Sequence, residues 1–174
     1  MPGNDSHLPH LQKNTKPKIE DVIPYYLEDD IRQAALDFAA YMRASKMPLK
    51  WASANRWKAL YKGEVICWVE LLKQAGCWEI SPCLKNINEY EEFIINEGWQ
   101  SNIWDNVAYC RLCNPARECA RGKSKTILGK DLKGVCQRTL FNGRIKVDFA
   151  NPDETAINRV KKLLEMERTA KEES

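Results

Sequence analysis

Four cysteines in the second half of the chain have the spacing of a metal site: Cys110-x2-Cys113-x5-Cys119-x16-Cys136. A Cys-x2-Cys turn directs two thiols toward one point, so two corners of a tetrahedron come pre-assembled, and Cys119 and Cys136 can supply the others. Four thiolates suit a closed, structural zinc ion. They also suit an iron–sulfur cluster, and the same residues can be plain reduced thiols. A zinc ribbon would end in a second Cys-x2-Cys pair, whereas here the last two ligands are single. Catalytic zinc keeps an open position and usually has His or carboxylate ligands, so the expected metal role is structural. The segment 109–138 is rich in Pro, Gly and charge and has little apolar surface with which to order itself without metal.

Charge is the second signal. From Cys110 to Lys146 there are ten basic residues against two acidic, a net +8, so the remainder carries −5 of the total of +3. Four thiolates around Zn²⁺ contribute only about −2 and do not account for that excess. Arg117, Arg121, Lys123, Lys125 and Lys130 are therefore candidate contacts for an anion or nucleic acid. The alternative is a solvated basic flap that offsets an acidic body.

Aromatic residues form the third constellation. Trp57, Tyr61, Trp68 and Trp78 fall at strand spacing and would line a cleft for a flat or cationic small molecule, if they do not simply form core under helices. Cys67, Cys77 and Cys83 lie in the same strands and read as small buried or half-buried side chains.

Other chemistry is disfavoured. The two histidines, His7 and His10, sit in an opening stretch without apolar periodicity, expected to be a flexible tail over 1–18. The folded part then has no histidine for a Ser–His or Cys–His pair. Gly122 and Gly129 are too far apart for a phosphate-binding P-loop. An enzyme, iron–sulfur or thiol-dependent, is the poorest of the function classes. No secretory leader or membrane span is evident, so the expected compartment is the cytoplasm, where cysteines serve as thiols or metal ligands.

The elements that must position these residues follow from periodicity. LEDDIRQAALDFAAYMRASK carries Leu27, Ile31, Ala34, Phe38, Tyr41 and Ser45 at helical spacing, with acids in its first turn and Pro48 as a stop. From Leu49 to Leu84 the period changes to two, and three or four antiparallel strands are predicted, with turns at Lys62-Gly63 and near Gly76. Trp57, Ile66, Trp68 and Trp78 would share one face if the register allows. Arg56, Lys58, Glu79 and Ser81 would face the other way. Asn88 is the expected N-cap of a helix ending at Gly98, and WQSNIWDNVAY a further helical turn or two. Ile145, Val147 and Phe149 alternate as a strand. Asn151 would cap the last helix, with Pro152 at its first position. Together these predict a single α+β domain over 19–174, an antiparallel sheet backed by helices, with a small four-cysteine metal-binding insertion.

RWKALYKGEVICWVEL, CWEISP, YEEFI, ILGKDLKGVC and NPDETAINRVKKLLE together resemble a family of uncharacterised small bacterial proteins with a Trp-rich hairpin and a Cys-x2-Cys-x5-Cys...Cys segment. The likeness covers about two thirds of the chain. It implies that the Cys segment and the Asn-Pro helix start belong to one domain, and it implies no catalytic residues. In element order the chain also resembles small-molecule-binding domains of the gyrase-inhibitor-like kind, which implies a binding role by analogy alone. The expected function is that of a cytoplasmic protein with a structural zinc site that binds a small molecule or a protein partner. Nucleic-acid binding through the basic segment is the alternative.

Overall fold

The computed structural model describes residues 7–72, 76–85, 87–108, 124–135 and 144–172. It is an α+β structure built on an antiparallel sheet. The chain divides into two compact units: Met1–Ser81 with Phe149–Lys162, and Pro82–Asp148 with Leu163–Ser174.

The first unit opens with three helices, α1 (Pro9–Thr15), α2 (Ile19–Tyr26) and α3 (Asp29–Ala44). Strands β1 (Leu49–Ser53), β2 (Arg56–Tyr61), β3 (Glu64–Leu71) and β4 (Trp78–Leu84) follow in meander order. Lys62 and Gly63 both have positive φ, 47° and 81°, the backbone a two-residue hairpin turn needs to match strand twist. β8 (Phe149–Ala150) pairs with β4 at Glu79↔Ala150 and Ile80↔Phe149 and leads into α6 (Glu154–Glu172).

Within the stretch expected to be a flexible tail, residues 7–18 include a helix held by hydrogen bonds. α1 begins with Pro9 in the first turn, where its missing N–H costs nothing, and its Gln12 is fully buried. Gln12 Nε2 donates to Asn55 Oδ1 (2.7 Å), and Asn55 N–H donates back to Gln12 Oε1 (2.7 Å). This closes an amide ring onto the β1–β2 turn, where Asn55 has φ 58°. Trp57 Nε1 donates to Pro17 O at 3.0 Å. Polar pairing replaces the apolar periodicity that would have revealed this helix.

The buried stripe of α3 is also displaced from its expected row. Ala35, Phe38, Ala39 and Met42 are buried, whereas Ile31 is 42% exposed and Ala34 half-buried. The stripe thus places two alanines among the buried positions, where their small side chains permit close packing.

In the second unit, β4 pairs with β7 (Ile145–Lys146) at Cys83↔Lys146 and Leu84↔Ile145. The strand expected over Ile145, Val147 and Phe149 is divided between β7 and β8, and all three side chains are buried as the alternation implied. A 3₁₀ turn (Ile87–Tyr90), α4 (Glu91–Asn96) and α5 (Gln100–Asn106) follow β4. Gly98, at φ 67°, ends the first of these helices as expected. Within the region predicted as the cysteine insertion, β5 (Ser124–Ile127) and β6 (Lys130–Lys133) form a hairpin. The four cysteines of the expected metal centre lie outside the described residues.

Replacing Gln12 by Ala is expected to cost about 1–3 kcal/mol, because it strips the partner from a buried backbone N–H and a buried amide. Urea denaturation should show that loss, and limited proteolysis should show faster cleavage within 9–18; an unchanged midpoint would mean that α1 is not part of the cooperative unit.

Candidate functional site

Of the four candidate aromatic residues, Trp78 lines the cleft between α3 and the start of α6. Trp57 pairs with Val69 and Trp51 and is fully buried in the core. Trp68 pairs with Lys58, so it points to the opposite face of the sheet, with the Arg56 guanidinium 4.1 Å above its ring. Tyr61 lies beyond a bulge that inserts Ile66 between the Ala59↔Cys67 and Leu60↔Val65 pairs, and it faces Glu64 at the turn. The single aromatic layer is thus divided by register: alternation says which residues of one strand share a face, but not which residues of neighbouring strands do.

The cleft, of about 530 Å³, lies in the first unit between α3 and the start of α6. Asp30, Ile31, Gln33, Ala34 and Asp37 form one wall and Asp153, Glu154, Ile157, Asn158 and Lys161 the other, with Trp78, Asn151 and Pro152 between them. The α3 residues recur at i, i+3, i+4 and i+7, one side of a helix. Tyr41 ties the two walls together, because its hydroxyl donates to Lys161 O (3.1 Å) and the Lys161 ammonium lies 5.2 Å from its ring centre. Four carboxylates against one ammonium make the cleft acidic.

Asn151 shapes this site from a role other than the expected one. Its N–H donates to Trp78 O (2.8 Å) and its Oδ1 accepts from Trp78 N–H (2.9 Å). With its side chain so engaged, and φ at 43°, it leaves the capping to Asp153, whose Oδ1 accepts from Ala156 N–H at 2.7 Å. The cap therefore sits two residues later than predicted. Trp78 itself is 1% exposed and stacks edge-on to Phe38 at 6.3 Å.

The four candidate metal ligands, Cys110, Cys113, Cys119 and Cys136, lie outside the described residues, as do Arg117, Arg121 and Lys123. Among the described residues no group of three or more His, Cys, Asp and Glu side chains is placed to hold a metal. Cys67 and Cys83 are buried and Cys77 half-buried. Of the basic candidates, Lys125 is half-buried, whereas Lys130 is exposed with its ammonium 4.8 Å from the Trp104 ring centre.

Their hairpin is gripped at its turn by the second unit. Asn88 does not cap a helix; its Oδ1 accepts from Leu128 N–H (2.9 Å) and its Nδ2 donates to Thr126 O (3.2 Å). Gln100 Nε2 donates to Leu128 O (2.9 Å) and Trp104 Nε1 to Ile127 O (2.8 Å). Leu128 (φ 50°) and Gly129 (φ 77°) supply the left-handed pair of a two-residue turn. A leucine in that region costs about 1–2 kcal/mol, offset here by full burial of its side chain and two backbone bonds.

The second unit also contains a buried ion pair that periodicity alone did not reveal. Arg144 (1% exposed) donates from Nη1 to Glu167 Oε2 (3.1 Å) and to Cys83 O (2.9 Å). Glu167 Oε1 accepts from Lys85 N–H (2.8 Å) and from the Tyr90 hydroxyl (3.2 Å). Burial, reinforced by the Glu167 carboxylate beside it, pushes the Tyr90 phenol far above its ordinary value. Among the described residues no helix is long and apolar enough to cross a membrane. Comparison with family models, curated proteins and solved structures returns no match.

Two outcomes follow for this cluster. Arg144→Met should destabilise by about 3–5 kcal/mol, since it leaves the Glu167 charge buried without its counter-ion. The unfolded state releases the Tyr90 proton near pH 10 while the folded state retains it, so stability should fall as pH rises above about 10. Tyr90→Phe should flatten that decline in denaturation titrations between pH 9 and 11; an equally steep profile in the variant would place the proton elsewhere.

Proposed function

We propose that this chain is a binding protein that takes a small molecule in the cleft between α3 and the start of α6, and that a zinc ion held by Cys110, Cys113, Cys119 and Cys136 orders the basic segment. The cleft carries the proposal. Its volume falls in the range of small-molecule sites. An indole and the apolar side chains of Ile31, Ala34, Pro152 and Ile157 line it beside eight polar or charged residues, groups that could hold and orient a ligand. The zinc part rests on the cysteine spacing and on the thiolate preference of structural sites.

The cleft is tested by a thermal-shift screen of a small-molecule library against the wild type and Ala34→Trp, whose indole would fill the space beside Ile31. Compounds that raise the wild-type melting temperature and leave the variant unmoved are expected. Hits that act equally on both proteins would remove the cleft from the function. Elemental analysis should find one zinc per chain, lost in Cys110→Ser and Cys113→Ser; iron with a brown absorbance would replace zinc by a cluster, and a metal-free, folded protein would end the metal proposal.

A further inference from the structure

We propose that α1 is an exchangeable arm: at high protein concentration it leaves its own β1–β2 turn and docks on that of a second copy, so that two chains hold each other by reciprocal arms.

Three observations carry this. The first is how little fastens α1. It has seven residues, too few for a helix to persist by itself in water, and Gln12 alone of them is buried. Its hold on the body is polar: the two Gln12–Asn55 bonds, with the Trp51 indole N–H donating to Gln12 Oε1 at 3.4 Å. Just ahead of the helix, the His7 ring stacks on Tyr25 with 3.8 Å between centres. Segments with so few buried apolar contacts open at lower cost than the fold as a whole.

The second is a strained hinge. Lys16 ends α1 at φ 44° and ψ 57°, left-handed backbone that a lysine adopts at a cost, and its N–H returns to Gln12 O (2.8 Å). The following residue is Pro17, whose ring drives the residue before it toward extended backbone. Lys16 is thus held where both its own Cβ and its neighbour disfavour it, and relaxing it to the extended region carries α1 away from the β1–β2 turn. The motion has a fixed pivot, since Pro17 O accepts from the Trp57 indole N–H (3.0 Å) on the body's side of the hinge.

The third is what the departure uncovers. Asn55 N–H, Asn55 Oδ1 and the Trp51 N–H lose their partner, and α1 is the segment whose fit to them the structure displays. The α1 of a second copy restores every one of these bonds. Closed and exchanged forms then differ at the hinge, strained in one and relaxed in the other, and in the entropy of association, which concentration must overcome. Short hinges under strain favour such exchange. Because each copy gives one arm and receives one, the assembly closes at two.

Sedimentation of the full chain from about 10 µM to about 1 mM tests the proposal, because exchange without new contacts yields a weak, concentration-dependent dimer. The wild type should pass from monomer toward dimer over that range. Lys16→Gly, which accepts left-handed backbone freely, should weaken the dimer roughly tenfold or more, and Lys16→Pro, which cannot adopt it, should strengthen the dimer by a similar factor. Gln12→Ala should be monomeric where the wild type dimerises, as should Asn55→Gly, which tolerates the positive φ of that turn. A mixture of these two should nevertheless recover dimer, since the Gln12 arm of one meets the intact Asn55 turn of the other. Circular dichroism should show each variant folded. A wild type that stays monomeric throughout would overturn the proposal. So would a dimer that is unmoved by the Lys16 changes or gains nothing from mixing, for it would be held by another surface.

Discussion

Two hydrogen bonds between Asn151 and the backbone of Trp78 set the geometry on which the candidate site depends. They fix the chain to β4 immediately before α6 begins, so one wall of the cleft starts at a defined point beside the indole. Asn tolerates the positive φ this requires, since its short polar side chain can bond locally. Asp153 then supplies the cap that Asn151 cannot. The four residues Asn-Pro-Asp-Glu thus divide two tasks, anchoring to a strand and starting a helix, that a shorter connection would have to combine.

The second unit uses a different means to the same end. Its hairpin buries Ile127, Leu128 and Leu132, and side chains from the 3₁₀ turn and α5 hold its backbone as well: Asn88, Gln100 and Trp104 contribute four hydrogen bonds to three consecutive residues. The ion pair of Arg144 and Glu167 anchors the start of β7 to the C-terminal part of α6. Desolvation makes such a pair a weak source of net stability, but breaking it is costly, and so it favours one arrangement over its alternatives.

What could be read from the residues in advance follows a physical line. The helices of Asp29–Ala44 and Glu154–Glu172, the antiparallel strands between Leu49 and Leu84, read as three or four, and the Lys62-Gly63 turn were legible because hydrophobic period and turn chemistry are local properties. Ile145, Val147 and Phe149 were legible as buried for the same reason. α1 was not, because Gln12 holds it by hydrogen bonds to a residue 43 positions away, a pairing no local pattern encodes. The position of Trp68 depended on inter-strand register, and the roles of Asn88 and Asn151 on which of two competing bonds each amide makes. The cleft was legible only in fragments: Trp78 was singled out, but Ile31 and Ala34 were read as part of the periodic row of an amphipathic helix, since spacing alone does not say whether an apolar residue faces packed protein or an open wall.

The division of labour around α3 has an evolutionary consequence. The helix is held through Ala35, Phe38, Ala39 and Met42, whereas Asp30, Ile31, Gln33, Ala34 and Asp37 border open space. The second set borders the cleft while the first packs the helix against the rest of its unit. Changes in the outer set alter what the cleft can accept while the buried set continues to hold the helix, so ligand preference can diverge among descendants faster than the scaffold that presents it.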